Sequence, residues 1–142
     1  MADQSYYIGI DVGTTSVRVG IIRKPRSSED EAIIDSVTKS IHIYSPQEEF
    51  HEQSSENIWK SLCDATKEVL QKTGVQPQQV KGIGVDATCS LVVLDKSDQP
   101  LSISPTKESS HNIIMWMDHR ALAQANRINN TGNHIIIFAN II

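Results

Sequence analysis

Six residues near the start of the chain could handle a phosphate: Asp11, Gly13, Thr14, Thr15, Ser16 and Arg18. An apolar run, Tyr6 to Asp11, ends in a carboxylate, turns through Gly-Thr-Thr-Ser, and re-enters an alternating run, Ser16 to Ile22, that carries one arginine. Ile8, Ile10 and Val12 alternate in the first run and Val17, Val19 and Ile21 in the second, which predicts two antiparallel strands joined by a tight turn. Such a turn offers backbone N–H groups, hydroxyls and a guanidinium to a phosphate chain, with an oxygen ligand beside it for a hard cation. It is not a Walker loop, because no Gly-Lys-Ser/Thr follows and the turn leads into a strand instead of a helix. A plain β-turn, with Gly13 for backbone freedom and hydroxyls for turn chemistry, accounts equally well for the spacing alone.

The elements needed to hold this turn can be followed along the chain. Ala32 to Tyr44 reads as a third strand, after a charged, proline-broken loop from Lys24 to Glu31, and completes an antiparallel meander. Ser45 to Gln53 is polar and irregular. A helix follows: Ser54 suits the N-cap, Glu56 the first turn, Ile58, Leu62, Ala65 and Val69 one apolar stripe, Lys72 the last turn and Gly74 the position after it. Val80 to Asp86 is a β-branched strand that also ends in a carboxylate, and Ser90 to Leu94 is another, ending at the turn Asp95 to Asp98. Asn112 to Trp116 reads as a short strand, Asp118 as a helix N-cap, and His119 to Asn130 as the helix. The predicted order places the carboxylates Asp11 and Asp86 at one edge of a mixed α/β sheet, where such folds bind ligands.

The bulk properties narrow the function. The chain has 142 residues, 39% of them hydrophobic, and a formal charge of −4. That balance argues against nucleic acid and against an anionic membrane as a partner, since both require a basic face. No apolar run reaches the roughly 18 residues needed to span a bilayer, and Met1 to Ser5 has neither the basic nor the apolar part of a signal peptide. Cys63 and Cys89 read as reduced thiols, and the expected location is the cytoplasm. The histidines at 51, 111 and 134 are scattered, which implies no metal cluster.

With these residues in place, Asp11 to Arg18 resembles the phosphate-binding hairpin of the sugar kinase, actin and heat-shock ATPase superfamily. Its Asp-x-Gly-Thr-Thr-Ser-x-Arg form is most similar to the FGGY carbohydrate kinases. Gly82 to Val92 resembles that family's sugar-site loop in the form carried by ribulokinases. Ile114 to Ala121 resembles its Trp-x-Asp-x-Arg segment, and Phe50 to Gln53 its Glu-Gln signature ahead of the first helix. The resemblance implies a ribonuclease-H-like (actin-like ATPase) fold and ATP-dependent phosphorylation of a sugar or polyol, with D-ribulose favoured. It implies that Gly13, Thr14, Thr15, Ser16 and Arg18 hold ATP phosphates, and that Asp11 binds Mg²⁺ through water. Asp86, Thr88, Cys89, Asp118 and Arg120 would contact the sugar. Blander readings stand beside these: Cys89 as a spacer, Asp118 as a helix cap, Arg120 as a first-turn surface charge.

The resemblance assigns no catalytic residue here, because the family's general-base aspartate lies beyond the matched region. Residues 1–132 are therefore expected to be a partial N-terminal kinase domain and 133–142 a divergent apolar tail. The short chain is expected to be a truncated, spliced or fragmentary form that is inactive alone. The alternative is a non-catalytic form that self-associates through the face left exposed.

Overall fold

The computed structural model describes residues 5–24 and 32–132; the tail at 133–142 and most of the charged loop before the third strand lie outside the described residues. The hairpin forms as the alternation predicts. Strand β1 (Tyr6–Val12) pairs antiparallel with β2 (Ser16–Arg23), Ile10 facing Val19 and Val12 facing Val17. The inward set Val17, Val19 and Ile21 is completely buried, each side chain contributing about 1.5–3 kcal/mol by leaving water. β3 (Ile33–Ser40) adds antiparallel to β2. β5 (Val80–Ala87) adds parallel to β1 on the other side, giving a mixed sheet in the order β3-β2-β1-β5.

Helix α1 (Ser55–Thr73) is bounded by the signals read in the sequence. The Ser54 hydroxyl accepts the Asn57 N–H at 3.3 Å, and Gly74 closes the helix at φ 68°. That left-handed conformation is one glycine adopts without a Cβ penalty. Ala65 and Val69 are buried in one core with Ile8, Ile10, Val17, Val19, Ile21, Val37 and Ile41. The helix packs over β2 and β3. β5 is consequently left uncovered on this side, with Ile83 and Val85 64% and 66% exposed.

Several boundaries differ from expectation. The third strand stops at Ser40, not Tyr44, because the chain bends off the sheet. There the Ile41 N–H donates to Thr15 O at 2.9 Å and the His42 N–H to Asn57 Oδ1 at 2.9 Å. The stretch expected to be irregular contains β4 (Glu52–Gln53), and the two later strands shrink to β6 (Leu91–Val92) and β7 (Ile113–Ile114). These three pairs form a small antiparallel sheet in the order β4-β7-β6. The last helix, α2 (Leu122–Asn129), begins later than expected with Ala121 at its N-cap, so Asp118 does not cap it.

Candidate functional site

Three charged residues form a row across three strands. Asp11 is the cross-strand partner of Arg18 on β2 and of Asp86 on β5. Because partners share a face of a sheet and successive side chains alternate, all three lie opposite the Ile10 and Val19 side, on the face that α1 leaves open. Arg18 Nη1 is 3.8 Å from Asp11 Oδ2, and both side chains are well exposed. Gly9, Gly20 and Ser36 line a shallow groove of about 260 Å³ beneath Asp11 and Arg18.

The turn beside this row is held at four points. The Gly13 N–H donates to Ser16 O at 2.9 Å and the Ile41 N–H to Thr15 O at 2.9 Å. Gln53 Nε2 donates to Thr14 O at 2.8 Å, and Trp116 Nε1 donates to Thr14 Oγ1 at 3.2 Å. An indole only donates, so Thr14 Oγ1 accepts there and keeps its own proton for another acceptor. The backbone at Gly13 is not left-handed, and a Cβ there would meet Ser16 O at an ordinary 3.5 Å. Backbone freedom, the simplest reason for glycine at this position, is therefore not the reason.

The segment after β5 stays next to the turn. The Thr88 N–H donates to Val12 O at 3.0 Å and the Ser90 N–H to Thr88 O at 2.9 Å. Asp86 Oδ1 accepts the Ala87 N–H at 3.0 Å, and the Cys89 side chain is exposed. The Ser90 hydroxyl oxygen is buried with no hydrogen-bond partner among the described residues. It borders an apolar concavity of about 250 Å³ lined by Val12, Trp59, Thr88 and Val92.

The Trp-Met-Asp-His-Arg segment divides between two environments. Trp116 is 57% exposed and reaches the turn, whereas the Asp118 side chain is 1% exposed and faces into the protein. Asp118 Oδ2 accepts the His51 N–H at 2.7 Å and Arg120 Nη2 at 2.7 Å, while Oδ1 accepts the Arg120 N–H at 3.0 Å and Arg120 Nε at 2.8 Å. Arg120 Nη2 also donates to Glu52 Oε1 at 2.9 Å, Nη1 donates to Ile103 O at 3.2 Å, and the guanidinium carbon lies 4.2 Å from the Phe50 ring centre. His111 Nδ1 lies 3.2 Å from Glu52 Oε2, with its ring stacked on Tyr44 at 3.9 Å. Burial pushes the Asp118 carboxyl up, but hydrogen bonds from the Arg120 side chain and from the His51 and Arg120 N–H groups bring it below the usual value. The same Asp118 contact raises Arg120.

Asp11, the turn and Asp86 are thus brought to one open edge, with Thr88 and Cys89 just beyond, while Asp118 and Arg120 are closed on one another. The donors fit a phosphate chain: among the described residues no hydrogen bond engages the N–H of Thr14 or Thr15. No group of three His, Cys, Asp or Glu among the described residues is arranged to hold a metal. Two neighbouring carboxylates suit Mg²⁺, which takes one or two carboxylates and fills its shell with water and phosphate oxygen. Gln53, Glu52 and His111 carry the local geometry without having been assigned roles from the sequence. The adjacent Glu-Gln pair was the available signal. Among the described residues no helix is long and apolar enough to cross a membrane.

Residues 6–140 match the N-terminal domain of the FGGY family of carbohydrate kinases. The chain is 46% identical over 134 residues to an FGGY carbohydrate kinase domain-containing protein of Xenopus laevis, covering 94% of this chain and 23% of that protein. It is 36% identical over 133 residues to a D-ribulokinase of Saccharomyces cerevisiae, covering 92% of this chain and 18% of that one. A gluconate kinase from Lactobacillus acidophilus superposes with a TM-score of 0.74 at 22% identity, over 91% of this chain and 23% of its own. A ligand-bound xylulose kinase from the same organism gives 0.72 at 22% identity, over 90% and 23%. These structures share the actin-like ATPase fold of sugar kinases with this chain. This chain therefore spans less than a quarter of the length of these relatives, and it belongs to the FGGY family of carbohydrate kinases, whose N-terminal domain it carries.

Proposed function

We propose that these residues form the phosphate-and-sugar wall of an ATP-dependent carbohydrate kinase. The observation that carries the reading is the pairing of Asp11 with Asp86 beside the Gly13–Ser16 turn. In it, the N–H and hydroxyl groups of Thr14, Thr15 and Ser16 hold ATP phosphates around Gly13, whose own N–H closes the turn on Ser16 O, with Arg18 adding charge. Glycine at 13 gives a phosphate oxygen room to approach, which agrees with the fold's having no other need for it. Asp11 would hold Mg²⁺ through water, and the cation would supply neutralisation of phosphate charge. Phosphoryl transfer is chiefly positioning and charge stabilisation, which these groups supply.

Asp86 accepts hydrogen bonds from sugar hydroxyls, with Thr88 and the backbone around Cys89 orienting the polyol. Asp118 and Arg120 act one step removed, by fixing the segment that carries Trp116. A pentulose such as D-ribulose is the favoured substrate, supported by likeness to a relative named a D-ribulokinase. The setting is the cytoplasm. The family's general base corresponds to none of these residues, so residues 1–142 alone bind ligands without turnover.

Titration of the chain with Mg²⁺·ATP and with D-ribulose, followed by amide NMR, tests this. Saturable shifts are expected at residues 13–16 with nucleotide and at 86–90 with sugar. No movement at either segment would overturn the assignment.

A second reading rests on the exposed apolar pair Ile83 and Val85 at the β5 edge: the chain associates with another copy there. A concentration-dependent mass in light scattering, abolished by Val85→Lys, is its expected signature. A monomer at all concentrations removes it.

A further inference from the structure

We infer that Gln53 is a positioning residue that aims the phosphate turn's amide donors before a ligand arrives. This deepens the kinase reading and rests on the turn's being a phosphate site.

Gln53 is 2% exposed and is held by its own backbone. It is paired with Ile113 on β7, its carbonyl accepts the Asn112 N–H at 3.2 Å, and the next residue is the α1 cap Ser54. From this fixed base its Nε2 donates to Thr14 O at 2.8 Å. The orientation of the amide is unambiguous, since the reverse flip would set two carbonyl oxygens against each other.

The Thr14–Thr15 peptide is planar and trans, so its C=O and N–H point in opposite directions. With the Thr14 carbonyl drawn inward by Gln53, the Thr15 N–H points outward, and Thr15 is exposed. The next peptide is pinned in the same way: Thr15 O accepts the Ile41 N–H at 2.9 Å, which turns the Ser16 N–H away from Ile41. Two successive donors are thus aimed by bonds to the carbonyls behind them. Donors fixed in advance require no reorganisation when charge arrives. Without Gln53, the Thr14–Thr15 peptide is free to rotate and present its carbonyl, the wrong dipole, to a phosphate.

The test uses the chain as it stands, with Mg²⁺·ATP as probe. In the wild type, the Thr15 amide proton is expected to move downfield on saturation. Gln53→Met keeps the volume and removes the donor. It is expected to weaken nucleotide binding about tenfold and to abolish the Thr15 shift while β2 amide resonances stay dispersed. A role confined to stability would lower the melting temperature and leave both the affinity and the shift unchanged, which overturns the inference. If Gln53→Met does not fold, the wild type still decides. The through-bond coupling between the Gln53 side-chain amide and the Thr14 carbonyl carbon is expected in the free chain and must persist with nucleotide bound. Its disappearance on binding overturns the inference. No movement at residues 13–16 in the wild type overturns the phosphate reading and this inference with it. Wild-type movement undiminished in Gln53→Met overturns this inference alone.

Discussion

Asp11 and Asp86 occupy matching positions on neighbouring parallel strands, so two carboxylates meet on an open face with one guanidinium, Arg18, 3.8 Å from Asp11. A cation brought in with a nucleotide would relieve their repulsion. Asp11→Asn is expected to weaken Mg²⁺·ATP binding tenfold or more. Its exposed ion pair contributes little to folding, so the unfolding free energy should move by no more than about 0.5 kcal/mol. Calorimetric titration and urea unfolding measure the two quantities. Unchanged affinity would count against Asp11 as the metal-side residue.

Arg120 neutralises two buried carboxylates, Glu52 and Asp118. Arg120→Met leaves those charges together without their guanidinium, and removing one partner from a buried ionic group costs about 3–5 kcal/mol. Urea unfolding followed by tryptophan fluorescence should show this loss. The Trp116 contribution should change in the folded state as well, because its loop is anchored by the network. A loss below about 1 kcal/mol would mean that water already compensates the group.

The sign of the acid response follows from Asp118. Its folded carboxyl titrates below the ordinary value because the Arg120 and His51 hydrogen bonds outweigh the opposing effect of burial. A group lowered in this way stabilises the fold fully above its unfolded value, about 3.9, and loses that contribution as pH falls toward the folded value. Stability measured from pH 6 downward should therefore decline through that window. Asp118→Asn should start less stable and decline less steeply. Parallel curves would assign the acid sensitivity elsewhere.

Gly74 ends α1 at φ 68°, with nothing within 4 Å of where a Cβ would stand. Gly74→Ala therefore tests backbone strain without steric contact. About 1 kcal/mol of destabilisation is expected in thermal or urea unfolding, with nucleotide binding at the turn unchanged.

The parts of this chain legible from sequence are those written in periodicity and punctuation. The β1–β2 alternation, the Ser54 cap, the apolar stripe of α1 and Gly74 each impose a local preference that the fold obeys. The juxtaposition of Asp11 and Asp86 followed from strand order. What escaped was encoded in long-range pairing. A two-residue strand such as β4 has no period to detect, and its partners on β7 lie about sixty residues away. Asp118 has the residue type of a helix cap, but Arg120 and the His51 N–H compete for its oxygens, and the helix begins later in consequence. Ile83 and Val85 carry the pattern of a covered strand, yet α1 packs over β2 and β3 and leaves them in solvent.

Strand β4 is only two residues long, and its side chains point to opposite sides: Glu52 to Arg120 and His111, Gln53 to Thr14. Its frame therefore acts as a switchboard. Sliding the strand by one residue would bring the Glu52 carboxylate toward the phosphate turn and leave an amide facing the buried guanidinium, with the wrong charge delivered to both addresses. The spacing between the Tyr44–Glu52 bridge and Ser54 is thus fixed by two separate electrostatic demands. A single-residue insertion there, among residues that are almost completely buried, would disable nucleotide capture and loosen the core together.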